Sequence, residues 1–317
     1  MPIPESFAGR LRLPVVAAPM FLASGPDLVT ACCKAGIVGT FPALNQRTTE
    51  GFAAWLDTIA ERLSPTDAPF GVNLIVHKTN PRVQPDLEEV VRHKVPLVIT
   101  SLGAAREVVQ AVHSYGGLVF HDVIGLKHAA KAAEAGVDGL ILVAAGAGGH
   151  AGTLSPFAIV PEVRAFFGGT ILLAGAISRG EQIAAARLMG ADLAYMGTRF
   201  IATRECQASE DYKAMLVEAR AADIVYTPAI SGVNANFLRQ SIAAAGLDPD
   251  NLPTKHGMDM SGGSEARAWK NVWSAGQGVG SIDDVPTVAE LARRLEEEYQ
   301  EALARAGRLA HEMAVPA

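Results

Sequence analysis

The sequence predicts a closed eight-stranded α/β barrel carrying a small inserted domain near its C-terminal end. Three observations predict it: a composition that demands a large core, eight short apolar runs, and helix-like stretches between them. Of the 317 residues, 49% are hydrophobic, 19% charged and 6% aromatic. Soluble domains carry about 25% charged residues, so this chain must bury much apolar surface, which excludes disorder. Its length allows one large barrel or two ordinary domains.

The apolar runs lie at 15–19, 37–41, 70–76, 97–101, 118–123, 139–144, 171–176 and 193–200. They are continuous rather than alternating, as parallel strands covered on both faces should be. The segments 27–35, 49–63, 104–113 and 127–135 are rich in Ala, Leu, Val, Glu and Lys, and read as helices. Gly36 and Gly136 follow two of them, where a left-handed cap is favourable. Ser178 and Glu181 have capping-box spacing and predict a helix start after the seventh strand. An open doubly wound sheet is the rival architecture, and the count of eight favours closure.

Past Phe200 the rhythm stops. Residues 203–271 hold helix-like pieces and a polar stretch at 254–265, and show no strand pattern. The expected organisation is a barrel of residues 1–205 and 272–317, with 206–271 as a helical insertion capping the substrate site. A last helix, 288–305, completes the outer ring. Residues 135–139 (AGVDG) and 189–193 (MGADL) are similar helix-to-strand links.

Several function classes fall away. The net charge is -6 and no basic stripe is present, which argues against a nucleic-acid partner. No apolar run approaches the roughly 18 residues of a membrane span, and residues 1–10 lack a signal-peptide layout. The three cysteines, Cys32, Cys33 and Cys206, form neither a disulfide framework nor a CxxC zinc motif, which fits a reducing cytoplasm.

In such a barrel, function sits at the C-terminal ends of the strands. The seventh strand ends at Gly175-Ala176 and the eighth at Gly197-Thr198. Loops after these two strands are where barrels often hold a phosphate, against small residues and a helix N-terminus. The sixth strand runs into Gly146-Ala147-Gly148-Gly149-His150-Ala151-Gly152. Glycines there keep side chains away from a ligand, and His150 is a candidate general acid or base. Ala18, Pro19 and Met20 end the first strand, where Met20 can lie against a flat ring. Asn73, polar inside an apolar run, needs partners, which a heterocycle edge or a neighbouring backbone group would supply. His121 and Asp122 are adjacent on a strand and face opposite ways, so they are a poor metal pair. No metal site is expected. His77 is a further pocket candidate, Gln277 in the Gly276-Gln277-Gly278 loop could reach a ligand, and nothing marks Cys206 as a nucleophile.

Together these residues resemble the FMN-dependent nitronate monooxygenase family, formerly called 2-nitropropane dioxygenases. The resemblance runs over nearly the whole chain. Its marks are AAPM ending at Met20, GVNL at 71–74, GAGGHAG at 146–152, MGTRF at 196–200, ATREC at 202–206 and SAGQGVG at 274–280. It implies FMN at the top of the barrel under a small second domain. Ala18, Pro19 and Met20 would line the isoalloxazine, Asn73 would meet its polar edge, and Gly148 and Gly149 would pass beside it. Gly175, Ala176, Gly197 and Thr198 would hold the phosphate, and His150 matches the family's catalytic histidine. Some relatives carry Lys where this chain has Asp122, so that cofactor position is occupied here by a carboxylate.

The implied reaction is oxidation of an alkyl nitronate or nitroalkane by dioxygen to a carbonyl compound and nitrite. The same motifs also occur in flavin-dependent enoyl-acyl-carrier-protein reductases and NADH:quinone reductases. An NAD(P)H-dependent reductase of enoyl thioesters or quinones is therefore the alternative, although no GxGxxG fingerprint follows a strand. A non-catalytic binder of a phosphate ligand is a third reading. The resemblance leaves room for NAD(P)H as a co-substrate and for a homodimer.

Overall fold

The computed structural model describes residues 3–103, 106–253 and 272–314. Eight parallel strands close into a barrel in sequence order: β1 (Val15–Ala17), β2 (Val38–Pro42), β3 (Phe70–Ile75), β4 (Leu97–Ser101), β5 (Leu118–Val123), β6 (Gly139–Val143), β8 (Thr170–Ala174) and β9 (Leu193–Met196). β9 pairs with β1, with Val15 opposite Ala194, which closes the ring. All eight runs expected from the sequence are strands, and the open-sheet rival is excluded.

Alternation within the continuous runs builds two cores. Val16, Val38, Ile99, Phe120, Ile141, Leu172 and Tyr195 point inward and fill the barrel. Their neighbours Val15, Val98, Val119, Leu140, Ile171 and Ala194 point outward under the helices. Phe7, fully buried, packs edge-on against Phe120 with ring centroids 6.3 Å apart, so the N-terminal segment plugs the barrel interior.

The outer helices are α1 (Pro26–Lys34), α2 (Thr49–Arg62), α3 (Val83–Arg92), α4 (Arg106–His113), α5 (Leu126–Glu134), α6 (Pro156–Arg164) and α7 (Gly180–Leu188). Gly36 and Gly136 adopt φ +74° and +88° after α1 and α5, the left-handed closure anticipated for them. The run expected at 193–200 is shorter as a strand, because α8 (Thr198–Ile201) begins one residue after Gly197. With α8 only a single turn long, α11 (Val288–Ala314) packs on α7 and α1 and fills its place in the ring.

The start of α7 differs from expectation. Arg179, not Ser178, is the N-cap residue, and Glu181 pairs with the Arg179 side chain rather than with the backbone. Gln182 Oε1 instead accepts from the N–H groups of Ser178 (2.7 Å) and Arg179 (3.0 Å).

The inserted segment contains helices α9 (Glu210–Glu218) and α10 (Arg239–Ala244), and also a hairpin of β10 (Ile224–Thr227) and β11 (Ala235–Leu238). The absence of strands expected there is thus corrected. β11 pairs in turn with β7 (Gly149–His150), giving a three-stranded antiparallel sheet. The polar stretch expected at 254–265 lies outside the described residues.

Candidate active site

A cavity of about 950 Å³ opens at the C-terminal ends of the barrel strands. That is near the upper end of the roughly 300–1,000 Å³ of small-molecule sites, enough for a cofactor and a small substrate together.

One side of the cavity is built from backbone packed on backbone. The Gly146 carbonyl accepts from the N–H groups of Ala176 (3.3 Å) and Gln277 (2.8 Å), tying together the loops after β6 and β8 and the segment re-entering after the insertion. A Cβ on Gly148 would lie 2.9 Å from Gly276 N, and one on Gly278 would lie 2.9 Å from the Ala176 carbonyl. Gly175 has φ +134°, and Ala176, though not glycine, has φ +55°. A left-handed alanine is unusual and marks a backbone held by its surroundings. Thr198 Oγ1 accepts from Gly276 N–H at 2.9 Å, so its own proton remains to be donated. Gly175, Ala176, Gly197 and Thr198 all line the cavity.

Ala18, Pro19 and Met20 line another side. Their turn is held by Asn45, whose Nδ2 donates to the carbonyls of Met20 (3.0 Å) and Ser24 (2.8 Å). Asn45 carries no sequence signal of its own and was not anticipated.

The inward ends of β3, β4 and β5 contribute a polar series. Asn73 Nδ2 donates to Ser101 Oγ at 2.7 Å and to the Ile99 carbonyl at 3.2 Å. Ser101 Oγ donates to Asp122 Oδ2 at 2.5 Å. Asp122 Oδ1 is enclosed and makes no hydrogen bond among the described residues. Burial pushes the Asp122 carboxyl up to about 6, against the Ser101 bond that favours its charge. Asn73 thus found side-chain and backbone partners within the protein, and Ser101 is a site residue that sequence reading missed. His121 faces the opposite way from Asp122, as expected, with its Nδ1 2.7 Å from Thr100 Oγ1.

His150 lies on β7, held across from Ala235 of β11. Its Nε2 is 3.3 Å from Ser231 Oγ, and Ser231 spends its own proton on the Val233 carbonyl at 2.9 Å. The imidazole Nε2–H is therefore the donor in that contact. Burial lowers the His150 pKa to about 4, so the ring is neutral near pH 7. The inserted hairpin also grips the glycine loop through Asn236 Nδ2 to the Ala147 carbonyl (2.6 Å) and Tyr226 Oη to the Ala151 carbonyl (3.1 Å).

Every anticipated site residue lines this cavity except Gln277, whose side chain is exposed and outside the lining; its backbone N–H serves as the tie to Gly146. His77 is also outside the lining, bonded locally to Thr79 (2.8 Å). Cys206 is buried, and desolvation raises its thiol to about 11, as expected of a structural cysteine. Among the described residues no cluster of His, Cys, Asp and Glu could hold a metal, and no helix is long and apolar enough to cross a membrane.

A nitronate monooxygenase family model matches residues 8–298, nearly the whole barrel and its insertion. The chain belongs to the nitronate monooxygenase family. It is therefore an enzyme, an oxidoreductase of a flavin-using family. The nitronate monooxygenase of Pseudomonas aeruginosa is 28% identical, over 92% of this chain and 97% of its own. A second relative, 26% identical over 88% of this chain and 90% of its own, is (3aS,4S,5R,7aS)-5-hydroxy-7a-methyl-1-oxo-octahydro-1H-indene-4-carboxyl-CoA dehydrogenase of Rhodococcus jostii RHA1. Among solved structures, nitroalkane oxidase from Streptomyces ansochromogenes superposes with a TM-score of 0.79 at 23% identity, covering 95% of this chain and all of that one. FabK from Thermotoga maritima does so with the same score and identity, covering 95% and 97%. At these identities both likenesses speak to the fold.

Proposed function

We propose that this family member binds FMN and oxidises short alkyl nitronates with dioxygen, giving a carbonyl compound and nitrite. His150 is the acid–base group. The observation that carries this reading is the placement of a half-buried, neutral imidazole on the wall of a large strand-end cavity, inside a glycine loop.

The residues fit FMN. The close-packed glycine loops leave no Cβ between backbone and ligand, as a phosphate or a flat ring requires. Gly175, Ala176, Gly197 and Thr198 would hold the phosphate. Ala18, Pro19, Met20, Gly148 and Gly149 would flank the isoalloxazine, with Asn73 and Asp122 toward its polar edge. When bound, the flavin supplies the redox chemistry, taking electrons from the nitronate and passing them to dioxygen. His150 accepts the proton α to the nitro group when the substrate arrives as the neutral nitroalkane. Ser231 orients the ring, and the insertion of residues 206–271 acts as the cap that keeps water out.

A second reading, an NAD(P)H-dependent reductase of enoyl thioesters or quinones, is favoured by the cavity's charges. Arg47, Arg82 and Lys131 line it, on loops and helices that follow β2, β3 and β5, none of which neighbours β8 or β9 in the barrel. Cations there suit an acidic group distant from the flavin phosphate, and the Rhodococcus relative is named for a CoA thioester.

Anaerobic mixing of FMN-loaded protein with a nitronate, NADH and NADPH in parallel, watching flavin absorbance, separates the two. Bleaching by nitronate supports the first reading. Rapid bleaching by NADH or NADPH, with none by nitronate, overturns it in favour of the second.

A further inference from the structure

Asp122 occupies a position where a cation would be the simpler choice beside a flavin, and its surroundings show how a carboxyl group is accommodated instead. It is an inward residue of β5, two residues beyond Phe120, and it lines the cavity. The hydrogens of the series leading to it are all accounted for. The Ile99 carbonyl can only accept, which fixes the orientation of the Asn73 amide. The second amide hydrogen goes to Ser101 Oγ, so the Ser101 proton is directed to Asp122 Oδ2. Oδ1 is enclosed and has no hydrogen-bond partner among the described residues, so Oδ2 is the oxygen available to the cavity.

An ionised carboxylate with one enclosed, unbonded oxygen is costly, whereas the neutral acid loses far less by the same enclosure. Once protonated on Oδ2, the carboxyl accepts from Ser101 and donates into the cavity, which completes a chain of donors running from Asn73. The charged and titratable groups around it do not compensate a negative charge. Tyr195, inward on β9, has its own ionisation pushed far up by burial and by Asp122. His121, next on the same strand, also borders the cavity, but its Nδ1 is engaged with Thr100. His150 on β7 is neutral. His128 and Lys131 on α5, Arg47 after β2, and Arg82, paired with Asp86, line the cavity without a hydrogen bond to Asp122.

We propose that Asp122 is held as a carboxylic acid whose Oδ2–H donates a hydrogen bond to an acceptor atom of the bound flavin, a neutral and removable donor. Negative charge added to the flavin on reduction then retains or recruits this proton.

The proposal rests on the FMN reading above but not on the identity of the oxidised substrate. Its test is the midpoint potential of the bound flavin between pH 5.5 and 8.5, in wild type, Asp122→Asn and Ser101→Ala. Asn is isosteric and donates at every pH. In wild type the potential should fall more steeply with pH, by one additional proton per two electrons over part of the range, and Asp122→Asn should lack this. Ser101→Ala removes the bond that favours the carboxylate and should move the steep region to higher pH. Equal slopes in wild type and Asp122→Asn overturn the proposal, as does an unmoved region in Ser101→Ala. Failure of all three proteins to bind FMN would instead refute the cofactor reading.

Discussion

His150 shows how little of a residue's chemistry is local. The glycines around it are visible in the sequence, but its neutral state comes from burial under a hairpin 75 or more residues away, with Ser231 at a separation of 81. Replacement by Ala should slow turnover of neutral nitroalkane by about 10²–10⁴-fold, the contribution of a general base, while FMN content stays normal. Preformed nitronate, whose α proton is already gone, should be affected less. Equal, undiminished rates with both substrates would exclude the proposed role. Because the His150 pKa lies near 4, the basic form persists across pH 6–8. The rate step assigned to it should therefore be flat there in a pH profile.

At the scale of elements, two close approaches dictate what can be changed. Gly148 meets the backbone of the re-entering segment, 2.9 Å from a Cβ to Gly276 N. Gly148→Ala should therefore separate these loops and weaken FMN retention at least tenfold, measured by equilibrium dialysis; unaltered affinity would remove the loop from the cofactor site. Gly180 opens α7 against α11, where a Cβ would fall 2.3 Å from the Leu295 carbonyl, and its N–H donates to Glu298 Oε2 at 2.7 Å. Gly180→Val should cost roughly 1–3 kcal/mol by overpacking, read as a lower Tm. All eight barrel strands were readable because each is a continuous apolar run bounded by turn residues. The strands β7, β10 and β11 were not: β7 is two residues long, and the other two are four-residue strands whose pairing depends on the glycine loop they cover. The cap of α7 was misplaced by one residue because Gln182, rather than Glu181, turns back to the backbone.

For the whole molecule, the barrel interior and the buried titratable groups set stability. Phe7 fills the interior against Phe120, so Phe7→Ala should cost about 3–5 kcal/mol, checked by urea unfolding. His121 and His150 both have pKa values lowered by burial to about 4. The unfolded chain takes up their protons below its own value of about 6.5. Their stabilisation is thus full above that pH and is lost as pH falls toward 4. Asp122, raised to about 6, works in the opposite direction between 6 and the ordinary carboxylate range. Two histidines outweigh one carboxyl, so moving from pH 7 to 5 should lower unfolding free energy by about 2 kcal/mol. His121→Gln should remove most of that drop, and an undiminished drop would assign the pH dependence elsewhere.

Sequence alone determined the closed barrel, the order of its strands and the glycine loops that line the strand-end cavity, since these follow from local periodicity and from glycines placed at strand ends. It also determined the family. Tertiary structure alone decided that Gln277 is exposed and meets the glycine loop through its backbone N–H, that Ser101 links Asn73 to Asp122, and that a hairpin from the insertion completes the wall behind His150. Those outcomes depend on burial and on hydrogen bonds between residues distant in the chain. Such bonds leave no period or spacing in the sequence, and they appear only when the strands are brought side by side.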